Sequence, residues 1–95
     1  MEKLTKETIS NILGWESCVE DCVRQYWKEQ GITWYDSFKS PCGRFILTTI
    51  EESNLTNDIY GWNLHIDNSD MESIGWNDVE YIEQVQTLMN LYKDY

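Results

Sequence analysis

From Tyr60 to Asp67 the chain reads Tyr-Gly-Trp-Asn-Leu-His-Ile-Asp, so that Tyr60, Trp62, Leu64 and Ile66 alternate with Gly61, Asn63, His65 and Asp67. Successive side chains of a strand point to opposite faces, so this order predicts a strand with one apolar face and one wet face. A strand of that kind belongs to an antiparallel sheet covered on a single side. The partners it needs lie upstream. Ile32 to Lys39 is rich in strand-favouring Ile, Thr, Trp, Tyr and Phe, and Arg44 to Glu52 has the apolar centre Phe45-Ile46-Leu47-Thr48-Thr49-Ile50. Between them, Ser40-Pro41-Cys42-Gly43 has the residues of a type I turn and predicts a hairpin. The polar stretch Ser53 to Asn57 then connects to the third strand. After Asn68-Ser69-Asp70, Met71 to Gly75 reads as a short edge strand.

Helices flank this sheet in the sequence. Thr5 is a good N-cap with Glu7 in the first turn, Leu4 can staple to Ile9, and Gly14 can end the helix in the left-handed conformation. Its apolar edge is Ile9, Ile12 and Leu13. A second helix is predicted from Trp15 to Glu29, where Trp15, Cys18, Val19, Cys22, Val23, Tyr26 and Trp27 recur at helical period against a polar face. The last helix is expected to start at Asn77, with Glu80 completing a capping box and Trp76 stapled to Tyr81. Tyr81, Ile82, Val85, Leu88, Met89 and Tyr92 fall on one side of it. The expected architecture is therefore α+β: a single domain, residues 1–95, with a small antiparallel sheet of three to four strands. Helices pack on one face, in the order α-α-β-β-β-α.

Five Trp, six Tyr and two Phe in 95 residues supply the area that so small a core needs, so folding is expected without metal or disulfides. The formal charge is −10, and it is unevenly placed. Residues 1–44 hold seven acids and six bases, whereas residues 45–95 hold ten acids and one base, Lys93. Such a field opposes binding to nucleic acid or anionic membrane and favours basic surfaces. Acidity alone also keeps small proteins soluble, and only the asymmetry tilts the balance toward binding. No apolar stretch reads as a signal sequence or a membrane span, and three cysteines are an odd number. The expected location is the cytoplasm.

The residues that could carry catalysis fit simpler roles. Cys18, Cys22, Cys42 and His65 can be assembled on paper into a zinc set, but Cys18 and Cys22 fall on the apolar stripe of a helix, where cysteine packs as a small hydrophobe. Cys42 has no evident base, and His65 reads as a residue on the wet side of its strand. There is no phosphate loop, Ser-His-Asp arrangement or H-E-x-x-H. The expectation is a non-enzymatic binding protein without cofactor or metal. Its candidate site is an acidic surface: Glu51, Glu52, Asp58, Asp67, Asp70, Glu72, Glu80 and Glu83, with Asp78 among them. Trp34 and Tyr35 are candidate aromatic anchors.

Trp62-Asn63-Leu64-His65-Ile66-Asp67-Asn68, followed by the run from Tyr81-Ile82-Glu83-Gln84-Val85-Gln86 to Leu91-Tyr92, resembles small acidic uncharacterised proteins carried by phages and mobile elements of Bacteroidota, mainly over residues 44–95. The resemblance implies a setting and no site residue: an anti-CRISPR or other anti-defence inhibitor that binds a basic nucleic-acid-handling effector, such as an RNA-guided nuclease, in the bacterial host cytoplasm. An immunity protein or antitoxin capping a basic nuclease, or a self-associating structural protein, remains open beside it.

Overall fold

The computed structural model describes residues 1–32, 35–51 and 59–95, with backbone alone at 50, 51, 59 and 60. The fold is α+β. Five strands form one antiparallel sheet in sequence order: β1 (Glu16–Ser17), β2 (Ser37–Lys39), β3 (Phe45–Glu51), β4 (Ile59–Asp67) and β5 (Ser73–Val79). Three helical segments accompany it: α1 (Lys6–Thr8), which runs on into a π-helical turn over Ile9–Leu13, α2 (Asp21–Glu29) and α3 (Ile82–Tyr92).

The alternation in β4 holds. Trp62, Leu64 and Ile66 are buried, while Gly61, Asn63 and His65 are half-exposed. Register carries that pattern across the sheet, with Thr49 opposite Trp62, Leu47 opposite Leu64, Phe45 opposite Ile66 and Phe38 opposite Leu47. This face meets Leu4, Ile9 and Trp15 from the N-terminal segment and Ile82 and Val85 from α3 in one core. The opposite face carries another row, Glu16, Lys39, Ile46, His65 and Trp76, one residue from each strand. Its members are half-exposed or exposed.

Several local signals act as expected. The Thr5 hydroxyl accepts from the Thr8 N–H at 3.0 Å, and the Thr8 hydroxyl accepts from the Thr5 N–H at 2.8 Å. Thr8, not a Glu or Gln, thus completes the capping box. Gly14 ends the first helical segment at φ 71°, the left-handed conformation that a side chain would strain. The Gly43 N–H closes the turn onto the Ser40 carbonyl at 2.9 Å.

Three expectations are corrected. The sheet has five strands rather than three to four, and the element order is α-β-α-β-β-β-β-α. The second helix starts at Asp21, not Trp15: after the Gly14 reversal, Trp15 enters the core and Glu16 and Ser17 pair with Lys39 and Phe38. The helix that remains buries none of its residues, leaving Val23 40% and Tyr26 56% exposed and Cys18 and Cys22 on the surface rather than in the core. Finally, β5 runs to Val79, through the residues expected to cap α3. Asn77 pairs with Leu64, and Trp76 lies opposite His65 instead of stapling to Tyr81. The capping is done by Gln84, whose Oε1 accepts from the Glu80 N–H at 2.7 Å and the Tyr81 N–H at 3.0 Å.

Candidate functional site

Among the described residues, Asp70, Glu72, Asp78, Glu80, Glu83 and Asp94 lie along β5, α3 and the segments at their ends. Asp70 and Glu72 sit exposed in the turn between β4 and β5, where the Asn68 side chain accepts from both of their backbone N–H groups at 2.9 Å. The Ser69 N–H donates to the carbonyl of Tyr95, which brings Asp94 to the same end. Asp78, Glu80 and Glu83 lie at the other end, where β5 passes into α3. The strand between has seven residues, roughly 20 Å at the usual rise. The Debye length in physiological salt is about 8 Å, so charges act together within each end and only weakly between ends. The described acids of this flank therefore form two groups, one at each end of β5.

No lysine or arginine pairs with these carboxylates among the described residues. Between described residues Arg24 pairs with Asp36 at 3.6 Å and His65 Nε2 lies 2.8 Å from the Asp67 carboxylate, and neither contact involves Asp70, Glu72, Asp78, Glu80 or Glu83. Glu83 accepts from the Glu2 backbone N–H at 2.9 and 3.2 Å, which holds its carboxyl below the usual carboxylate range with help from the nearby N-terminal ammonium. Arg24, Lys28 and Lys39 stand on α2 and β2, away from β5 in the strand order, whereas Lys3 bridges to Tyr81 beside Glu80, and Arg44 and Lys93 lie at the C-terminal end of α3.

Asp67 departs from its expected role. It is only 9% exposed, its carboxylate faces His65 Nε2, and its carbonyl accepts from Arg44 Nε at 3.0 Å. The reading of Asp67 as an open surface carboxylate is corrected: strand alternation puts it on the same face as His65, two residues back, and its carboxylate is engaged there. Tyr35 is half-buried with its ring 5.6 Å from that of Trp27. Glu51 ends β3 near the Val79 end of the sheet, and its side chain is not described. Glu52, Asp58 and Trp34 lie outside the described residues.

The sequence reading missed Trp76. It is 65% exposed and stacks on His65 with centroids 6.0 Å apart and planes 13° apart. Beside it the Asn63 amide donates to Asp78 at 3.2 Å. The open face of the sheet thus presents an aromatic platform next to a carboxylate, the chemistry that holds a cation. Alternation of Ile74, Trp76 and Asp78 with Gly75, Asn77 and Val79 was the available signal, masked by the capping-box imitation at Asn77.

The cysteines do not converge with His65. Among the described residues no three His, Cys, Asp or Glu side chains come together as a metal site. Cys42 lies in the β2–β3 turn, its Sγ 3.3 Å from the Ser40 hydroxyl. Partial burial works against ionisation, but the Ser40 hydrogen bond and the backbone and charge of Arg44 outweigh it and hold the thiol below its ordinary value. Among the described residues no helix is long and apolar enough to cross a membrane. No family model matches the chain, and neither a curated protein nor a solved structure does.

Proposed function

We propose that this protein is a non-enzymatic inhibitor of the anti-CRISPR or anti-defence kind, acting in the bacterial cytoplasm by binding a basic nucleic-acid-handling effector such as an RNA-guided nuclease. The observation that carries the reading is the set of carboxylates on the β5–α3 flank, left without lysine or arginine partners among the described residues. A groove built for phosphates offers cations at the spacing of a nucleic-acid backbone, and a rigid acidic flank competes for them. The sheet and α3 share one core, so the carboxylates at both ends of β5 are held on a fixed frame. Ordering them costs little on binding.

Inhibition then works by occlusion. The acidic flank steers the protein onto the effector, and the bound domain fills the path of guide or target nucleic acid. No bond is made or broken, and no metal or cofactor takes part. An immunity protein capping a nuclease toxin would use the same physics.

Affinity for purified guide-loaded and guide-free RNA-guided nucleases, measured across a salt series, tests the reading. Binding that falls steeply as salt rises, with loss of target cleavage, supports it. Association that strengthens with salt points instead to hydrophobic self-association or packing.

A further inference from the structure

β5 ends the sheet. Among the described residues no strand pairs with it on the side away from β4, so a row of its N–H and C=O groups faces outward. Exposed edges are usually guarded by lysine, proline or a bulge. Ser73-Ile-Gly-Trp-Asn-Asp-Val79 has neither lysine nor proline, and its one bulge is confined to the Ser73 end. From Gly75 to Val79 the register is unbroken. A shallow groove lies beside this stretch, lined by Met1 of the N-terminal segment together with Asn77, Asp78, Val79, Glu83 and Leu88; just past Val79 that segment pairs with the chain through Lys3 and Tyr81, so the open edge runs from Gly75 to Val79.

The two faces of β5 differ. Trp76 and Asp78 point to the open face of the sheet, whereas Val79 points to the core face, next to the groove and Leu88. A strand added alongside would set one side chain in two beside the Trp76 ring and the Asp78 carboxylate, at ordinary cross-strand distance of about 5 Å. That position suits lysine or arginine, through the ring face and the carboxylate together. The intervening side chains would lie over Asn77, Val79 and Leu88, where an aliphatic residue covers the apolar part formed by Val79 and Leu88. Resting on the reading that the partner is a basic protein, we propose that the outer edge of β5 receives an extended segment of that partner as a sixth strand, with cationic residues toward Trp76 and Asp78 and aliphatic residues toward the groove. A second copy of this chain is the poorer occupant, because each copy carries a charge of −10.

The test uses the intact protein and a fluorescein-labelled peptide of alternating lysine and valine. A block peptide of equal composition is the control. Two further versions carry N-methyl groups at every lysine or at every valine. Residues of one kind turn their N–H groups toward β5 and the other kind turns them away, so one methylated version should bind about tenfold or more weaker and the other nearly as well as the parent. The block peptide should bind about tenfold weaker, and Trp76→Ala or Asp78→Lys should each weaken the alternating peptide. Equal binding of both methylated versions refutes strand addition even if a variant fails to fold, since that comparison uses the unaltered protein. If the block peptide binds as well as the alternating one, the acidic flank attracts cations but β5 does not select a strand, and only this inference fails. If no basic peptide binds even at low salt, the inhibitor reading fails with it.

Discussion

Arg44 reaches from the start of β3 to the end of α3, its Nη2 donating to the Tyr92 carbonyl at 2.8 Å. The same guanidinium donates to the carbonyls of Lys93 at 3.3 Å and Asp67 at 3.0 Å. Carbonyls at a helix C-terminus lack intrahelical partners and carry partial negative charge, so one cation here fastens helix and sheet together. The C-terminal end of α3 is thereby tied to β3 and to the end of β4.

Replacing Arg44 should therefore loosen α3. Arg44→Met keeps most of the apolar stem and removes the charged donors, and we expect a loss of about 2 kcal/mol in chemical denaturation. Arg44→Lys should recover only part, because an ammonium cannot reproduce the fork of donors. Hydrogen exchange in the last turn of α3 should rise in both. An unchanged denaturation midpoint in the Met variant would show that the clamp contributes nothing.

Trp62 ties the N-terminal segment to the sheet. Its ring is 1% exposed, and its Nε1–H donates to the Leu4 carbonyl at 3.2 Å. Trp62→Phe preserves an aromatic ring but leaves that carbonyl without its donor, so about 1–3 kcal/mol should be lost. Exchange of the Leu4 N–H, which donates to the Glu80 carbonyl at 2.8 Å, should quicken more than exchange in the centre of β4. Uniform quickening would mean that the bond to Leu4 is incidental.

The hydrogen bonds that Glu83 accepts from the Glu2 N–H should make part of the stability depend on pH. A carboxylate with a folded pKa below its unfolded value stabilises fully above the unfolded value, and that contribution fades as pH falls through the folded one. Glu83→Gln should lower the thermal midpoint at neutral pH, less than Arg44→Met or Trp62→Phe does, and should converge with the parent protein below the usual carboxylate range. A difference that persists undiminished in acid would mean that Glu83 acts through something other than its charge.

Cys42 should alkylate with iodoacetamide at a pH below that of an ordinary exposed thiol, as read by peptide mapping. Ser40→Ala removes the hydroxyl at 3.3 Å and should move the profile upward. If the Ala variant reacts with the same pH profile, Ser40 does not support the thiolate.

Where a periodic pattern agreed with the contacts available in the fold, the sequence was easy to read. Trp62, Leu64 and Ile66 announce β4, and Ile82 and Val85 with Leu88, Met89 and Tyr92 announce the inner side of α3. Boundaries failed where two local signals were equally good. Asn77 with Glu80 and Tyr81 with Gln84 both carry residues able to cap a helix, and pairing of Asn77 with Leu64 decides between them. Trp15 continues the helical period of Cys18 to Trp27, yet its burial and the pairing of Glu16 with Lys39 take it out of that helix. The flank acids were visible as composition because exposed charge leaves its mark in the sequence. The stacking of Trp76 on His65 was not, since it depends on which residues of two strands come opposite.

The decisive measurement is target cleavage by purified guide-loaded RNA-guided nucleases, with the parent protein or a variant carrying Asp70→Lys, Glu72→Lys, Asp78→Lys and Glu80→Lys added in equal amounts. These carboxylates are solvent-exposed, so the variant should keep its circular dichroism spectrum. The account predicts that the parent protein blocks cleavage by a susceptible nuclease and that the reversed variant leaves it running. Equal inhibition by both proteins, or a folded parent that binds none of the basic effectors even at low salt, would contradict it.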